Sequence, residues 1–433
     1  MNELSSSKSG PLIGNITVPG DKSISHRSLI MAALAIGEST ISGLLEGEDV
    51  LDTADALTAL GAEIFKDNNG IWHVFGVGLG GLKEPAAPLY MGNSGTGVRL
   101  MMGVVATHSI TTTFTGDDSL TKRPMQRVTV PLAEFGASFE SNEQGTLPIT
   151  VKGAQMPLPI NYELPVASAQ VKSAIMLAAL NTPGQTTVIE KTPTRDHSER
   201  IFRYFGVDVK QQDDQIMVTG HSELTAKNMT VPADPSSAAF LVVAALITEG
   251  SDIVIKNIGI NEARTGLFKT LIDMGGNISF NNKREECGEE VADIHVQYSK
   301  LTGIIVPKER APSMIDEYPV LCAAATCAAG ETVMKGIEEL RVKESDRISV
   351  MVQGLEDCGV NITEHSDGMT VRNSDINGGV TIKTHLDHRI AMSFLVLGLR
   401  SAKPITIDDA SVIETSFPDF ANLLNGVGAN ICQ

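Results

Sequence analysis

The chain has 433 residues, 42% of them hydrophobic and 20% charged, which is ordinary for a globular protein with room for two or more domains. Its 34 basic and 52 acidic residues give a formal net charge of −18, which argues against a nucleic-acid partner because phosphate backbones attract basic surfaces. The sequence holds neither an apolar run of about eighteen residues nor a signal-peptide core, so we expect a cytoplasmic protein without a membrane span.

The five cysteines are odd in number, widely spread and without the spacing of a metal site. The cysteines therefore do not indicate a metal site, and we expect a reducing cytoplasm.

The first predicted helix follows a strand and a Pro-Gly turn in the stretch Val18–Arg27. Free backbone N–H groups at its start, with the cations of Lys22 and Arg27 beside Ser23, favour an anion site. Taken alone, Asp21 and Ser23 are better explained as helix caps.

Further along, a pattern of apolar helix, glycine, strand, helix, glycine and strand recurs at roughly 65 to 80 residues. Six such units predict an α/β fold of α+β repeats, each of which needs neighbours to bury its helix. The predicted helices are 27–37, 51–60, 168–180, 199–205, 236–247, 264–274, 315–329 and 344–358, with looser copies in 96–139 and 389–431.

The six units divide most simply into two lobes of three. The stretch Val231–Pro235 echoes Val18–Asp21, and both are proline-stiffened crossings. We expect residues 21–230 to form the first lobe and residues 1–20 plus 231–433 the second, with the ligand site in the cleft between them.

Candidate site residues of the first lobe lie in loops before helices. They are Gly95 in the glycine turn 93–99, Arg123 in Lys122-Arg123-Pro124, Ser168-Ala169-Gln170, and Arg195 in a charged loop. Glycines let backbone N–H groups approach a ligand oxygen. Individually, each loop is better explained by capping or by a solvated surface than by a ligand site.

The C-terminal half adds three candidate stretches. Asp316-Glu317 is flanked by apolar residues, as expected of an acid that transfers protons. The run 341–347 is the densest mixture of charges; if it is helical, Lys343 and Arg347 share a face, and it could be only an exposed ion-pair ladder. In the run 385–389, two histidines and one acid are a weak metal signal, and Arg389 is better explained as an anion contact.

Together, the basic loops of an acidic chain favour one site for a polyanionic small molecule.

These motifs, taken in order, resemble those of the 5-enolpyruvylshikimate-3-phosphate synthase family. The resemblance covers nearly the whole chain and rests on the combination of 18–27, 92–96, 122–124, 168–170, 316–317, 343–347 and 387–389. It implies two lobes, each of three βαβαββ units around a pseudo-threefold axis. The implied reaction transfers the enolpyruvyl group of phosphoenolpyruvate to the 5-hydroxyl of shikimate 3-phosphate and releases phosphate, without metal or organic cofactor, in a chain expected to be a monomer.

The resemblance also implies the role of individual residues. Catalysis would use Lys22, Asp316 and Glu344. Shikimate 3-phosphate would contact Lys22, Ser23, Arg27, Ser168, Ala169, Gln170, Arg195, Asp316 and Lys343. Phosphoenolpyruvate would contact Lys22, Gly95, Arg123, Gln170, Arg347 and Arg389.

The chain departs from the family pattern at a few positions. Thr415 stands where many members carry lysine, so that contact is lost or supplied elsewhere. His26 and the run before Arg389 resemble a subgroup with glyphosate-insensitive members, some of which have alanine in place of Gly95. Gly95 lacks that side chain and Leu100 replaces the proline of sensitive forms, which leaves the glyphosate response open.

Three other readings compete with this one. The sister enzyme that transfers enolpyruvate to UDP-N-acetylglucosamine generally uses a first-lobe cysteine (sometimes aspartate), and this chain has no cysteine before Cys287. An RNA-end-processing enzyme with related repeats is disfavoured by the negative charge. A non-catalytic phosphometabolite-binding protein would retain ligand affinity on Asp316→Asn and would have no turnover to lose.

Overall fold

The computed structural model describes residues 3–433. Their contacts divide the chain into two compact units. The N-terminal unit comprises Lys22–Val231 with Glu286–Glu289, and the C-terminal unit comprises residues 3–21, Pro232–Glu285 and Glu290–Gln433. Each unit has its own hydrophobic core. Among the described residues, no helix combines the length and apolar character that crossing a membrane requires.

The helices and strands are short and alternate along the chain. The α-helices are α1 Lys22–Leu34, α2 Glu48–Ala59, α3 Gly95–Val105, α4 Gln126–Glu134, α5 Ala169–Leu180, α6 His197–Tyr204, α7 Pro235–Ile247, α8 Gly266–Asp273, α9 Ala311–Met314, α10 Tyr318–Thr326, α11 Arg347–Asp357, α12 His388–Gly398, α13 Ser411–Glu414 and α14 Phe420–Gly426. The strands are β1 Leu4–Ser6, β2 Ile13–Ile16, β3 Ile36–Ser42, β4 Glu63–Lys66, β5 Trp72–Val77, β6 Leu89–Tyr90, β7 Thr111–Thr115, β8 Ser138–Glu140, β9 Ile149–Lys152, β10 Asn161–Glu163, β11 Gln185–Ile189, β12 Val209–Gln212, β13 Gln215–Thr219, β14 Asn228–Thr230, β15 Asp252–Gly259, β16 Asn277–Glu286, β17 Glu289–Gln297, β18 Glu331–Met334, β19 Ile362–His365, β20 Gly368–Arg372, β21 Val380–Ile382, β22 Ile405–Ile407 and β23 Ile431–Cys432.

Three four-stranded sheets of the N-terminal unit share one topology. Their strand orders are β14-β3-β5-β4, β6-β7-β9-β8 and β10-β11-β13-β12. In each, the first two strands are parallel and the other pairs antiparallel, which is a βαβαββ repeat. The chain enters this unit directly at α1, so β14 from the end of the unit supplies the missing first strand, with Met229 opposite Ile41.

The C-terminal unit repeats the pattern with two variations. Its strand orders are β16-β17-β15-β2, β18-β20-β19 and β21-β22-β1-β23 among the described residues. The second sheet has three strands, and isolated bridges such as Ile305 to Val333 stand where its first strand belongs. In the third, the N-terminal strand β1 lies between β22 and β23. The six predicted repeats are confirmed.

Helices that are apolar on every side are buried, because no solvent-facing stripe exists on them. All thirteen residues of α7 are buried, and Asp234 caps its start by accepting a hydrogen bond from the Ser236 N–H at 2.8 Å. Helix α5 likewise matches its predicted range within one residue.

Most predicted helices differ from the observed ones by a few residues at one end or both, and two differ most. The first starts at Lys22 rather than Arg27, which places Lys22 and Ser23 in its first turn. The predicted helix 315–329 is wrong as one element, since a 3-10 turn over Ile315–Glu317 precedes α10.

Candidate active site

The starts of α1, α3 and α5 approach one another in the N-terminal unit. The Gln170 side chain on α5 donates to Thr96 Oγ1 on α3 at 2.9 Å, and Arg99 Nη1 donates to Gln170 Oε1 at 2.6 Å. Ser94 on the α3 side lies 3.5 Å from His26 Nε2 of α1. Helix starts carry partial positive charge and N–H groups without helical partners, so this cluster suits an anionic ligand.

Arg27 is 5% exposed and fixed by hydroxyl groups. Its Nε donates to Ser198 Oγ at 2.8 Å and its Nη2 to Ser173 Oγ at 2.6 Å, while Nη1 donates to the Ser23 carbonyl at 2.8 Å. These contacts join α1, α5 and α6. A guanidinium held this way is preorganised for a phosphate or carboxylate.

Lys22 forms an ion pair with Asp49 of α2. The Lys22 side chain is 25% exposed and that of Asp49 9% exposed. Nothing in the sequence pattern identifies Asp49 as the partner of Lys22.

Asp52, on the same helix as Asp49, makes the stability of the protein depend on pH. Burial, followed by the charges of Asp49, Asp55 and Glu48, raises the pKa of Asp52 from 3.8 to about 6. Between pH 3.8 and about pH 6, Asp52 is protonated in the folded chain but ionised in the unfolded chain. The free energy of unfolding therefore falls as the pH rises through this range.

We expect Asp52→Asn to stabilise the protein by about 1 kcal/mol above pH 6, reduced from the full shift because the side chain is half-exposed. The gain should vanish near pH 4, where both states are protonated. Thermal melting at the two pH values tests this, with exposed Asp375→Asn, which is not among the groups that act on Asp52, as the control. An equal gain at both pH values would contradict the assignment.

Gly95 and Arg123 are neighbours at the start of α3. A Cβ built on Gly95 would lie 3.0 Å from Arg123 Nη1 and 3.0 Å from Arg99 Nη1. Arg123 Nη2 donates to Asn93 Oδ1 at 2.6 Å and to Ser119 Oγ at 3.1 Å. Glycine therefore leaves space beside two guanidinium groups.

The remaining candidate residues of this unit lie at the start of α5 and in the loop before α6. Ser168 caps α5 by accepting from the Val171 N–H at 3.4 Å, as the capping alternative predicted, and Ala169 and Gln170 form its first turn. Arg195 lies half-buried in the loop before α6. Arg99 was missed as a site residue, although its position four residues after Gly95 on a helix was the available signal.

In the C-terminal unit, Arg347 is the centre of a cluster of carboxylates. Its side chain is 1% exposed. Its Nε donates to Asp387 Oδ2 at 2.8 Å, its Nη2 to Glu344 Oε2 at 2.6 Å and its Nη1 to Asp316 Oδ1 at 3.4 Å. The structure thus brings the candidate residues Asp316, Glu344 and Arg347 together.

The charges of this cluster support one another. Burial opposes charge on Arg347, but Asp387 and Glu344 outweigh it and raise the pKa of the guanidinium. Burial also opposes charge on Glu344 and Asp387, yet Arg347, aided by His388, holds the pKa of each well below its ordinary value. Glu344 is therefore ionised at neutral pH in this structure.

Two further cations lie beside Asp316. Lys343 Nζ is 4.0 Å from Asp316 Oδ1. Arg389 Nη1 donates to the Asp316 carbonyl at 3.1 Å and to Glu317 Oε1 at 3.3 Å. The expectation that Lys343 and Arg347 share a helical face is wrong, because α11 begins only at Arg347, behind its cap Asp346.

Several sequence signals have a structural role instead. Asp387 is fully buried; it binds Arg347 and caps α12 by accepting from the Arg389 N–H at 3.0 Å. Among the described residues, no group of three or more histidine, cysteine, aspartate or glutamate side chains is arranged to hold a metal. Thr415, which stands where many family members carry lysine, has no positive charge. Its hydroxyl donates to the Val412 carbonyl at 2.8 Å.

Comparisons with known proteins place this geometry in a family. The model of the family described as EPSP synthase (3-phosphoshikimate 1-carboxyvinyltransferase) matches residues 6–424. Proteins named 3-phosphoshikimate 1-carboxyvinyltransferase are similar at 58% identity over 436 residues in Parvibaculum lavamentivorans and at 57% over 435 in Paramagnetospirillum magneticum. These alignments cover 99% of this chain and 97% and 98% of the relatives.

A solved structure has the same fold. The EPSP synthase of Acinetobacter baumannii superposes with a TM-score of 0.92 at 46% identity, covering 100% of this chain and 99% of that one. The chain therefore belongs to the EPSP synthase (3-phosphoshikimate 1-carboxyvinyltransferase) family.

Proposed function

We propose that the residues assembled in the two units carry out the family reaction in this chain. The enolpyruvyl group of phosphoenolpyruvate is transferred to the 5-hydroxyl of shikimate 3-phosphate, and phosphate is released. This makes the chain a transferase of the shikimate pathway, which leads to aromatic amino acids. The observation that carries the proposal is the Arg347 cluster, which combines a fixed cation with the carboxylates of Asp316 and Glu344.

The substrates carry two phosphates and a carboxylate, and each unit offers cations for them. We assign shikimate 3-phosphate to the N-terminal set Lys22, Ser23, Arg27, Ser168, Ala169, Gln170 and Arg195, together with Asp316 and Lys343. We assign phosphoenolpyruvate to Lys22, Gly95, Arg123, Gln170, Arg347 and Arg389. These assignments are supported by the clustered helix starts in one unit and the clustered arginines in the other.

The chemistry is an addition followed by an elimination. Asp316 accepts the proton of the 5-hydroxyl as its oxygen bonds to C2 of phosphoenolpyruvate, and C3 gains a proton. Loss of a proton from C3 then restores the double bond as the bond from C2 to the phosphate oxygen breaks. Nearby cations stabilise the charge that develops on the departing phosphate.

Lys22 and Glu344 are the two candidates for protonating C3. Glu344 is ionised beside Arg347 and must first take up a proton to act as an acid. Lys22 supplies an ammonium proton without that step, so we assign Lys22 as the group that protonates C3. We assign ionised Glu344 as the base that accepts a proton from C3 in the elimination step.

One chain carries every residue assigned here, which supports a monomer as the working unit. We place it in the cytoplasm, where its phosphorylated substrates are made. Sedimentation of the purified protein would show a single species of about 46 kDa; a larger stable species would contradict the monomer.

Adding a methyl group at Gly95 is expected to weaken phosphoenolpyruvate binding selectively. The new Cβ would displace the ends of Arg123 and Arg99. We expect Gly95→Ala to raise KM for phosphoenolpyruvate about three- to tenfold, the loss of roughly 1 kcal/mol, and to leave KM for shikimate 3-phosphate unchanged. Gly426→Ala, which has open space, is the control; a change in the shikimate 3-phosphate KM alone would contradict the assignment.

The reaction itself is tested by phosphate release. Purified protein receives phosphoenolpyruvate with either shikimate 3-phosphate or UDP-N-acetylglucosamine. Release with shikimate 3-phosphate alone is expected. Release with the nucleotide sugar alone, or silence of folded protein with both acceptors, would refute the proposal.

A further inference from the structure

The turn between β16 and β17 belongs to the N-terminal unit, although it lies far along the chain from the rest of that unit. Cys287 and Gly288, its two central residues, have φ angles of 53° and 79°. Two positive φ values define the tight turn that matches the twist of a hairpin. A cysteine in this conformation is uncommon and needs stabilising contacts.

Glu289, directly after the turn, reaches the start of α6. Its Oε1 lies 2.7 Å from His197 Nδ1, and the two side chains are 4% and 3% exposed. Its Oε2 lies 3.8 Å from Arg200 Nε. Arg200 also donates to the Gly288 carbonyl at 3.3 Å and to Asp196 Oδ2 at 2.8 Å. One buried carboxylate thus binds two side chains of the first turn of α6.

The Cys287 thiol fixes the turn from its other side. It accepts a hydrogen bond from the Thr230 N–H at 3.1 Å and donates to the Thr230 carbonyl at 3.2 Å. Burial raises the pKa of the thiol to about 11, so the proton that it donates stays in place at neutral pH. The turn is therefore a fixed support rather than a loose loop.

The loop supported by this turn carries Arg195, which is followed directly by Asp196 and His197. Its other end is anchored by Glu190, which accepts from the Thr194 N–H at 3.1 Å and binds the buried Lys172 at 3.0 Å. Glu290, the next residue of the hairpin, is exposed. Only Glu289 of these two carboxylates faces the loop.

We propose that Glu289 is a positioning residue for the shikimate 3-phosphate site, because it holds the loop of Arg195 through His197 and Arg200. The proposal rests on the role assigned to Arg195 in the proposed function. A displaced guanidinium weakens binding of the phosphorylated acceptor without touching the groups that move protons. The expected signature is a change in one KM with kcat preserved.

The test compares Glu289→Gln with the matched neighbour Glu290→Gln in the full chain. We expect Glu289→Gln to raise KM for shikimate 3-phosphate by about tenfold, with kcat and the phosphoenolpyruvate KM within about twofold, and Glu290→Gln to change none of them. An unchanged KM for shikimate 3-phosphate, or an equal fall of all activity, overturns the proposal. If Glu289→Gln yields no folded protein, half-exposed Arg200→Met decides by the same criteria.

A double-mutant cycle with Arg195→Ala tests the positioning role of Glu289 separately from the binding role assigned to Arg195. If Glu289 acts through Arg195, the combined variant has nearly the KM of Arg195→Ala alone; additive effects overturn the positioning role. Failure of Arg195→Ala itself to raise the shikimate 3-phosphate KM would instead refute the assignment of Arg195 and with it the basis of this inference. Absence of phosphate release by the unmodified protein would refute the reaction.

Discussion

Replacing Lys22 by methionine is expected to lower kcat by roughly 10²- to 10⁴-fold, the usual contribution of a positioned proton-transfer group. Methionine keeps the length and apolar body of the side chain but has no ammonium proton and no charge. Lys22 lies in the first turn of α1. Arg27 of the same helix cannot replace it, because the Arg27 guanidinium is held by Ser173 and Ser198. Steady-state kinetics with both substrates measure the effect.

Lys66→Met is the matched control for this change. Lys66 also pairs with a carboxylate, that of Glu46, but both side chains are more exposed, at 38% and 43%. We expect near-normal rates in this control. Near-normal rates in Lys22→Met as well would remove Lys22 from the chemistry.

Replacing Asp316 by alanine is expected to lower kcat by a similar roughly 10²- to 10⁴-fold while changing the Kd for shikimate 3-phosphate only a few-fold. The fold should survive, because Arg347 keeps Asp387 and Glu344 as partners. Removal of Asp316 therefore leaves no buried cation without a carboxylate. Exposed Asp357→Ala in the same unit is the control.

The split between kcat and Kd decides the role of Asp316. A loss of kcat with binding retained identifies the group that accepts the hydroxyl proton. A loss of affinity with kcat retained would make it a positioning group, and catalysis would need another base.

Much of the fold follows from local sequence signals. Buried helices such as α5 and α7 were predictable because they are apolar on every side and begin with Ser168 or with Asp234 and a proline. Their glycine-marked ends made the sixfold repeat visible.

The strand partners across long sequence distances were not predictable. Strands β1 and β14 have only three residues each, too few for a period-two pattern to show. Yet they complete the sheets of repeats at the opposite ends of their units. The placement of residues 286–289 is similar, since nothing in that turn identifies His197 as a neighbour.

The candidate site was predictable as a set of motifs but not as a set of contacts. Basic residues before helices marked Arg27, Arg347 and Arg389. The sequence did not indicate that Arg347 is almost completely buried among three carboxylates, or that Arg99 binds Gln170. Such contacts depend on side-chain directions that spacing alone does not determine.

Product analysis by nuclear magnetic resonance tests the central claim most directly. Purified protein is incubated with phosphoenolpyruvate and shikimate 3-phosphate, and phosphorus and proton spectra are followed in one sample. The account predicts one inorganic phosphate for each enol ether formed, with the vinyl group attached to the oxygen at C5. Phosphate release without an enol ether, or attachment at another hydroxyl, would contradict it.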